Sequence, residues 1–132
     1  MTHVYPAILH EEHNNGYSVS FPTVEGVITQ GDTLFEALKN AEDALGEFFI
    51  KLEDPCKVNN KFDGSNPFID KDERDGFITL IAVDEDEQLK KKNRLHEVWF
   101  NPKNKKLFTV LKDDNVKVKP FAEKLLREIS GT

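Results

Sequence analysis

The spacing of apolar residues changes along the chain, and each change predicts an element. Tyr17, Val19 and Phe21 alternate with Ser18 and Ser20, the period of a strand with one buried face. Asn15-Gly16 just before it supplies the two positive-φ positions of a tight hairpin turn, which makes the stretch from Tyr5 a partner strand. Pro22 has no amide proton, so it ends the second strand or lies at its edge. Gly26 and Gly31 bracket a third strand, Val27 to Gln30. The spacing then becomes three and four: Leu34, Leu38, Ala41, Leu45, Phe48 and Leu52 form one stripe on a helix over Thr33–Leu52, facing the sheet. Thr33-Leu34-Phe35-Glu36 opens it as a capping box, and Lys39, Asn40, Glu42, Asp43 and Glu47 take the other face. Phe77-Ile78-Thr79-Leu80-Ile81-Ala82-Val83 is a fourth strand, expected beside the first.

The order and punctuation of these pieces resemble the HicB antitoxin family. The residues that carry the resemblance are Tyr5-Pro6-Ala7, Asn14-Asn15-Gly16, Tyr17-Ser18-Val19-Ser20-Phe21-Pro22, Gly26, Thr29-Gln30-Gly31-Asp32-Thr33 and Glu36-Ala37-Leu38-Lys39-Asn40-Ala41. Each is weak alone; all of them in order over Tyr5–Leu45 are specific. The resemblance implies an α+β fold, a HicB-like β-β-β-α-β partial ribonuclease-H-like domain over residues 1–86. It also implies an antitoxin that covers the active site of a HicA-type toxin, a basic protein that cleaves messenger RNA, and in many members repression of the operon. The competing class is a HicB-like regulatory or dimerisation protein, from a phage or an orphan locus, with no toxin.

Family members end in a helix-turn-helix module, a ribbon-helix-helix module or neither. Here a charged linker over 87–94, with Lys90-Lys91-Lys92-Asn93-Arg94, leads into a short strand Leu95–Phe100. Asn101-Pro102 is expected to start a helix, with Pro at its first position and Phe108, Leu111 and Leu107 as its stripe. Asp113-Asp114-Asn115 breaks it, and Val118–Ile129 is a second helix with Phe121, Leu125, Leu126 and Ile129 inward. In order and length this resembles a divergent ribbon-helix-helix module over 95–132, too small to bury a core alone and therefore implying a dimer or tetramer. Trp99, Phe108, Phe121 and Leu125 are its dimerisation candidates. Lys91, Lys92, Arg94, His96, Val98 and Phe100 are the candidates for operator DNA. The strand departs from a groove reader, which presents polar side chains to base edges: counted back from Pro102, Phe100, Val98 and His96 point outward and Asn101, Trp99 and Glu97 inward. Either the register is shifted by one, which flips every side chain, or the module serves as a dimer clasp.

Charge sharpens the division. Residues 1–89 hold 19 acidic and 6 basic residues, a balance of −13; residues 90–132 hold 5 acidic and 12 basic, a balance of +7; together they give −6. An acidic front and a basic back suggest two partners of opposite charge. The chain has no apolar run long enough for a membrane span and opens on Met1-Thr2-His3-Val4, without the basic and apolar blocks of a signal peptide. With a lone Cys56, this points to a cytoplasmic setting. The long polar loop over 54–76, with a short turn near Lys71–Asp75, is of a length that is functional or mobile.

Catalytic and metal motifs are not expected. His10-Glu11-Glu12-His13 spaces its histidines by three before a turn, whereas a zinc helix needs four. Asp84-Glu85-Asp86-Glu87 lacks the glycine and alternation of a calcium loop and reads as a solvated linker. A ribonuclease H centre needs carboxylates converging on metal ions, and the inward strand positions are Tyr, Val, Phe and Ile. No cofactor, metal site or enzymatic activity is therefore predicted.

Overall fold

The computed structural model describes residues 2–13, 16–52, 76–113 and 117–130. All of the expected loop over 54–76 but Gly76, Cys56 included, and Asn14, Asn15, Asp114 and Asn115, lie outside the described residues. The strands β1 (Thr2–Glu11), β2 (Tyr17–Ser20), β3 (Ile28–Gly31) and β4 (Phe77–Asp84) form one antiparallel sheet in the order β3-β2-β1-β4. The fourth strand lies beside the first as expected, pairing continuously from Thr2 with Asp84 to Leu9 with Phe77. Gly16 takes a φ of 96° at the β1–β2 turn, a conformation available to glycine at no steric cost.

Helix α1 (Leu34–Lys51) is capped as the sequence predicts: the Thr33 hydroxyl accepts from the Glu36 amide at 3.1 Å. Ala37, Ala41, Ala44, Leu45 and Phe48 pack on Tyr5, Ala7, Leu9, Val19, Phe21, Ile81 and Val83 of the sheet. Leu38 and Leu52 are only partly buried at the edge of this core, and Leu34 is exposed, so the stripe is centred about one residue further round the helix. The larger correction is on the opposite face. Asn40, Asp43 and Glu47, expected in solvent, are buried, because the second half of the chain folds over them.

That second half is not strand, helix, helix. Asp84 to Glu87, expected as a solvated linker, caps and begins a short helix α2 (Glu85–Lys90): the Asp84 carboxylate accepts from the amides of Asp86 at 2.9 Å and Glu87 at 3.4 Å. Next come β5 (His96–Asn101), β6 (Lys106–Leu111) and α3 (Pro120–Ser130). The helix expected to begin at Pro102 is a hairpin. Two asparagines decide this locally. The Asn101 side chain accepts from the Lys103 amide at 2.9 Å, the Asn104 side chain accepts from the Lys106 amide at 3.0 Å, and the Asn101 carbonyl takes the Lys105 amide at 2.8 Å. Side chains that capture nearby amides favour turns over helix interiors, and Lys105 completes the turn at a φ of 59°. The following Lys-Leu-Phe-Thr-Val-Leu then pairs with β5 as an antiparallel strand, Trp99 opposite Phe108.

The hairpin is a sheet of its own that docks on the β3 edge of the main sheet through one residue. The Thr109 amide donates to the Gly26 carbonyl at 2.8 Å, and the Thr109 hydroxyl both accepts from the Ile28 amide at 3.0 Å and donates to the Ile28 carbonyl at 2.8 Å. Gly26, at a φ of 105°, permits the approach: a β-carbon there would sit 2.0 Å from the Leu107 carbonyl oxygen. Helix α3 packs Phe121, Ala122, Leu125 and Ile129 against Ile28 and Phe108, so it covers the β2–β3 half of the sheet face opposite α1. Its inward positions are those expected for the last helix, with Leu126 at the edge of the cluster.

Candidate partner-binding surfaces

The polar side of α1 is the joint between the two halves. Asp43 stands at its centre. One carboxylate oxygen accepts from the Gln88 amide group at 2.9 Å; the other accepts from the Leu95 backbone amide at 3.0 Å and from Nδ1 of His96 at 2.8 Å. Nε2 of His96 lies 2.7 Å from the Thr29 hydroxyl, which donates to it when the ring is neutral. One turn along the helix, Glu47 receives Gln88 at 3.2 Å and Arg94 at 3.1 Å. Burial pushes the Asp43 carboxyl up. The hydrogen bonds from His96 and Gln88, the attraction of the His96 ring and the Leu95 amide outweigh it and hold the group below the ordinary 3.8.

Thr29, His96 and Asp43 lie in line as hydroxyl, imidazole and carboxylate, an arrangement that in an open cleft activates a nucleophile. Here they are 3%, 0% and 3% exposed, so no substrate reaches the hydroxyl. The line of hydrogen bonds ties β3, β5 and α1 together.

A second lock holds α3. The buried Glu12 carboxylate accepts from the Ser18 hydroxyl at 2.5 Å and from the Phe121 amide at 3.1 Å, the latter in the first turn of α3, where the helix dipole favours an anion. The His10 ring stacks on Phe121 with centroids 4.2 Å apart. The histidine-flanked acidic motif thus docks a helix through His10 and Glu12. Among the described residues no group of three or more His, Cys, Asp or Glu side chains could hold a metal.

The predicted site residues scatter. Lys91 and Lys92 are exposed beyond α2, while Arg94 is half-buried on Glu47. His96 is sealed beneath the hairpin and Val98 is half-buried. Phe108, Phe121 and Leu125 pack within their own chain. Trp99, 53% exposed, lies at the rim of that cluster with its ring 6.3 Å from Phe108, whereas Phe100, 58% exposed, projects from the opposite face of the hairpin. They therefore do not make one patch. The residues that join the halves, Thr29, Asp43, Gln88 and Glu12, were missed. One signal was available: Gly46, a glycine inside the helix near the polar face, where a β-carbon would meet the Gln88 side chain at 2.8 Å.

Charge behaves the same way. Lys119 pairs with Asp32 at 3.0 Å, Lys106 with Glu25 at 2.7 Å and Arg94 with Glu47 at 3.1 Å. The basic back half meets the acidic front half inside one molecule. Acidic side chains still exposed include Glu36 and Glu42 on α1 and Asp86 and Glu87 on α2. Among the described residues no helix is long and apolar enough to cross a membrane.

A four-stranded sheet with a long helix on one face, its core assembled from the Tyr5–Leu45 pattern, belongs to a defined family. Residues 5–101 match the family described as HicB_like antitoxin of bacterial toxin-antitoxin system, and the chain is a member of it. It is 51% identical over 55 residues to "Antitoxin HicB 1" of Photorhabdus laumondii subsp. laumondii, covering 41% of this chain and 36% of that one. It is 35% identical over 85 residues to an uncharacterized 14.9 kDa protein in the rep-hol intergenic region of Haemophilus phage HP1, covering 61% of each. The chain thus spans less than two thirds of the length of these curated relatives. A structure titled "Toxin-Antitoxin complex from Streptococcus pneumoniae" is similar over 97% of this chain and 88% of that one, at 22% identity and a TM-score of 0.47.

Proposed function

We propose that this protein is a non-enzymatic antitoxin that binds a HicA-type, RNA-cleaving toxin and occludes its active site. The observation that carries this is the family match over residues 5–101. The exposed carboxylates of α1 and α2 support it, since opposite fields speed encounter and fix orientation between an acidic antitoxin and a basic toxin. Repression of its own operon is not part of the proposal. The hairpin that would read a groove has His96 sealed on one face and Phe108 buried against α3 on the other.

The test is to co-express the full chain with a HicA-type toxin, taken from the adjacent reading frame where one is encoded, and to follow cleavage of a reporter messenger RNA. Co-purification with loss of cleavage is expected; a toxin that still cleaves at equimolar antitoxin refutes the reading. The phage relative favours a second reading, a HicB-like regulatory protein without a toxin. A neighbourhood with no such frame, and no binding to any HicA-type toxin tried, would establish it.

A further inference from the structure

Helix α3 is held at its two ends by different means. The N-terminal end is anchored in the main sheet. The Glu12 carboxylate accepts from the Phe121 amide. The Gln30 side chain donates to the Lys117 carbonyl at 2.9 Å and accepts from the Lys119 amide at 2.7 Å. The Lys119 side chain, only 13% exposed, pairs with Asp32. The C-terminal end is tied to the tip of the β5–β6 hairpin instead. Asn101 and Asn104 build that turn with their side-chain oxygens. With their side-chain nitrogens they donate to the carbonyls of Ser130 and, at 2.7 Å, Ile129. Those carbonyls lie in the last turn, where a helix has no amide of its own to offer them.

The surface beneath the helix differs in the same sense. Under the C-terminal half, Ser20 is 2% exposed and its hydroxyl has no partner. A cavity of about 70 Å³ lies there between Ser20 and Ile28 of the sheet and Leu125 and Ile129 of the helix. On the hairpin side a cleft of about 260 Å³ runs between Val110 and Leu111 and the helix at Ala122 and Leu126. An orphaned polar group and unfilled space both weaken a contact. At the anchored end Nδ1 of His10 is also without a partner. There the ring stacks on Phe121, and the hydrogen bond to the Glu12 carboxylate is of the charged kind, about twice as strong as a neutral one.

We infer that α3 is a strap that peels from its C-terminal end and pivots on the anchor at Glu12 and Gln30, while the main sheet, α1 and the hairpin stay folded. The first bonds to break are the neutral ones from Asn101 and Asn104. The hairpin survives the loss because turn and helix use opposite atoms of those side chains, and the oxygens keep their amides. Proteins open locally in such cooperative units. A free helix of 11 residues is marginal in water, so the peeled segment unwinds. Opening uncovers Ser20, Ile28 and Phe108, and the resting fold thus stores an apolar strip under a hinged cover.

The experiment is native-state hydrogen exchange of the full chain, resolved by residue with NMR, and it needs no toxin. The amides of Leu125 to Ile129 are expected to share one opening, at least tenfold more populated than that of Phe121 and of Ala41 and Leu45 in α1. Asn101→Asp combined with Asn104→Asp keeps the oxygens that make the turn and removes both nitrogen donors. It should raise exchange over Leu125 to Ile129 at least tenfold further and leave Phe121 and the β5–β6 amides as they were. Should the double variant lose the hairpin, Asn104→Asp alone, at an exposed position, carries the same comparison. Glu12→Gln, at the pivot, should raise exchange through the whole helix. Exchange of all of α3 together with α1 overturns the proposal. So does an opening that begins at Phe121, or an asparagine variant with an intact hairpin that exchanges like the parent.

Discussion

Helix α1 has two buried faces that are built from opposite materials. Toward the sheet it offers Ala37, Ala41, Ala44, Leu45 and Phe48; toward α2 and β5 it offers Asp43 and Glu47. The apolar face is non-directional: any well-shaped hydrophobic surface satisfies it. The polar face accepts only partners that present donors at fixed positions, because a buried carboxylate left unpaired is costly. The difference teaches how the molecule divides its labour. Apolar packing makes the sheet and helix cohere, and the polar joint specifies which way the second half folds onto them.

The sharpest way to break this comparison is to remove the joint's covering. Truncation after Asp86 deletes Gln88, Arg94 and His96 and leaves Asp43 and Glu47 without those donors. The fragment is expected to lose cooperative urea unfolding, although it retains all four strands of the main sheet and α1; a sharp transition close to that of the full chain would show that the polar face is incidental. Next in size is Asp43→Ala, expected to cost about 3–5 kcal/mol as a broken buried pair. On the other face Leu45→Ala should cost about 2–5 kcal/mol through the cavity it leaves, and Leu38→Ala distinctly less, since Leu38 is only partly buried. Chemical denaturation of the three variants ranks the faces directly.

Acid titration separates the faces further. The Asp43 carboxyl is held below 3.8 in the folded protein, so folding favours its ionised form. Its contribution is fully present above the unfolded pKa, about 3.9, and is lost as pH falls through that value and on through the depressed folded one. Thermal melts between pH 6 and pH 2.5 should show this part of the acid slope in the parent chain and not in Asp43→Ala, while Leu45→Ala keeps it. Smaller again is Glu12→Ala, which removes the anion that receives the Phe121 amide; about 1.5–3 kcal/mol is expected for a charge-assisted bond, with α3 losing hydrogen-exchange protection first. Smallest is Lys106→Ala at the exposed pair with Glu25, where about 0–1 kcal/mol is expected and added salt should erase it.

The apolar half of this design could be read from spacing alone. The alternation Tyr17-Val19-Phe21, the period from Leu34 to Phe48 and the Thr33 cap all depend on contacts within a few residues or on one uniform face. The polar half could not. Asp43 and Glu47 on an amphipathic helix look like any solvated face until a covering element is known, and His96 lies 53 positions from Asp43. The misread hairpin has a more local cause: Pro102 suits both a first helical turn and a loop, and the decision falls to the amide captures by Asn101 and Asn104. Of the surfaces, the charge imbalance of the two halves was visible, but three of its pairings, Lys119–Asp32, Lys106–Glu25 and Arg94–Glu47, close within the chain.

The anchor at Glu12 has a consequence for how the protein is made. Its partner amide, Phe121, follows 109 positions later. Synthesis runs from the N-terminus, so β1, β2 and β3 leave the ribosome long before α3 exists. Until α3 emerges, the His10 and Ile28 side of the sheet lacks the helix that packs on it. Contacts of such long separation form late because the loop they close is entropically expensive. The nascent protein therefore passes through an interval as a one-sided sheet with an uncovered apolar face, the kind of surface that chaperones hold and that aggregates at high expression.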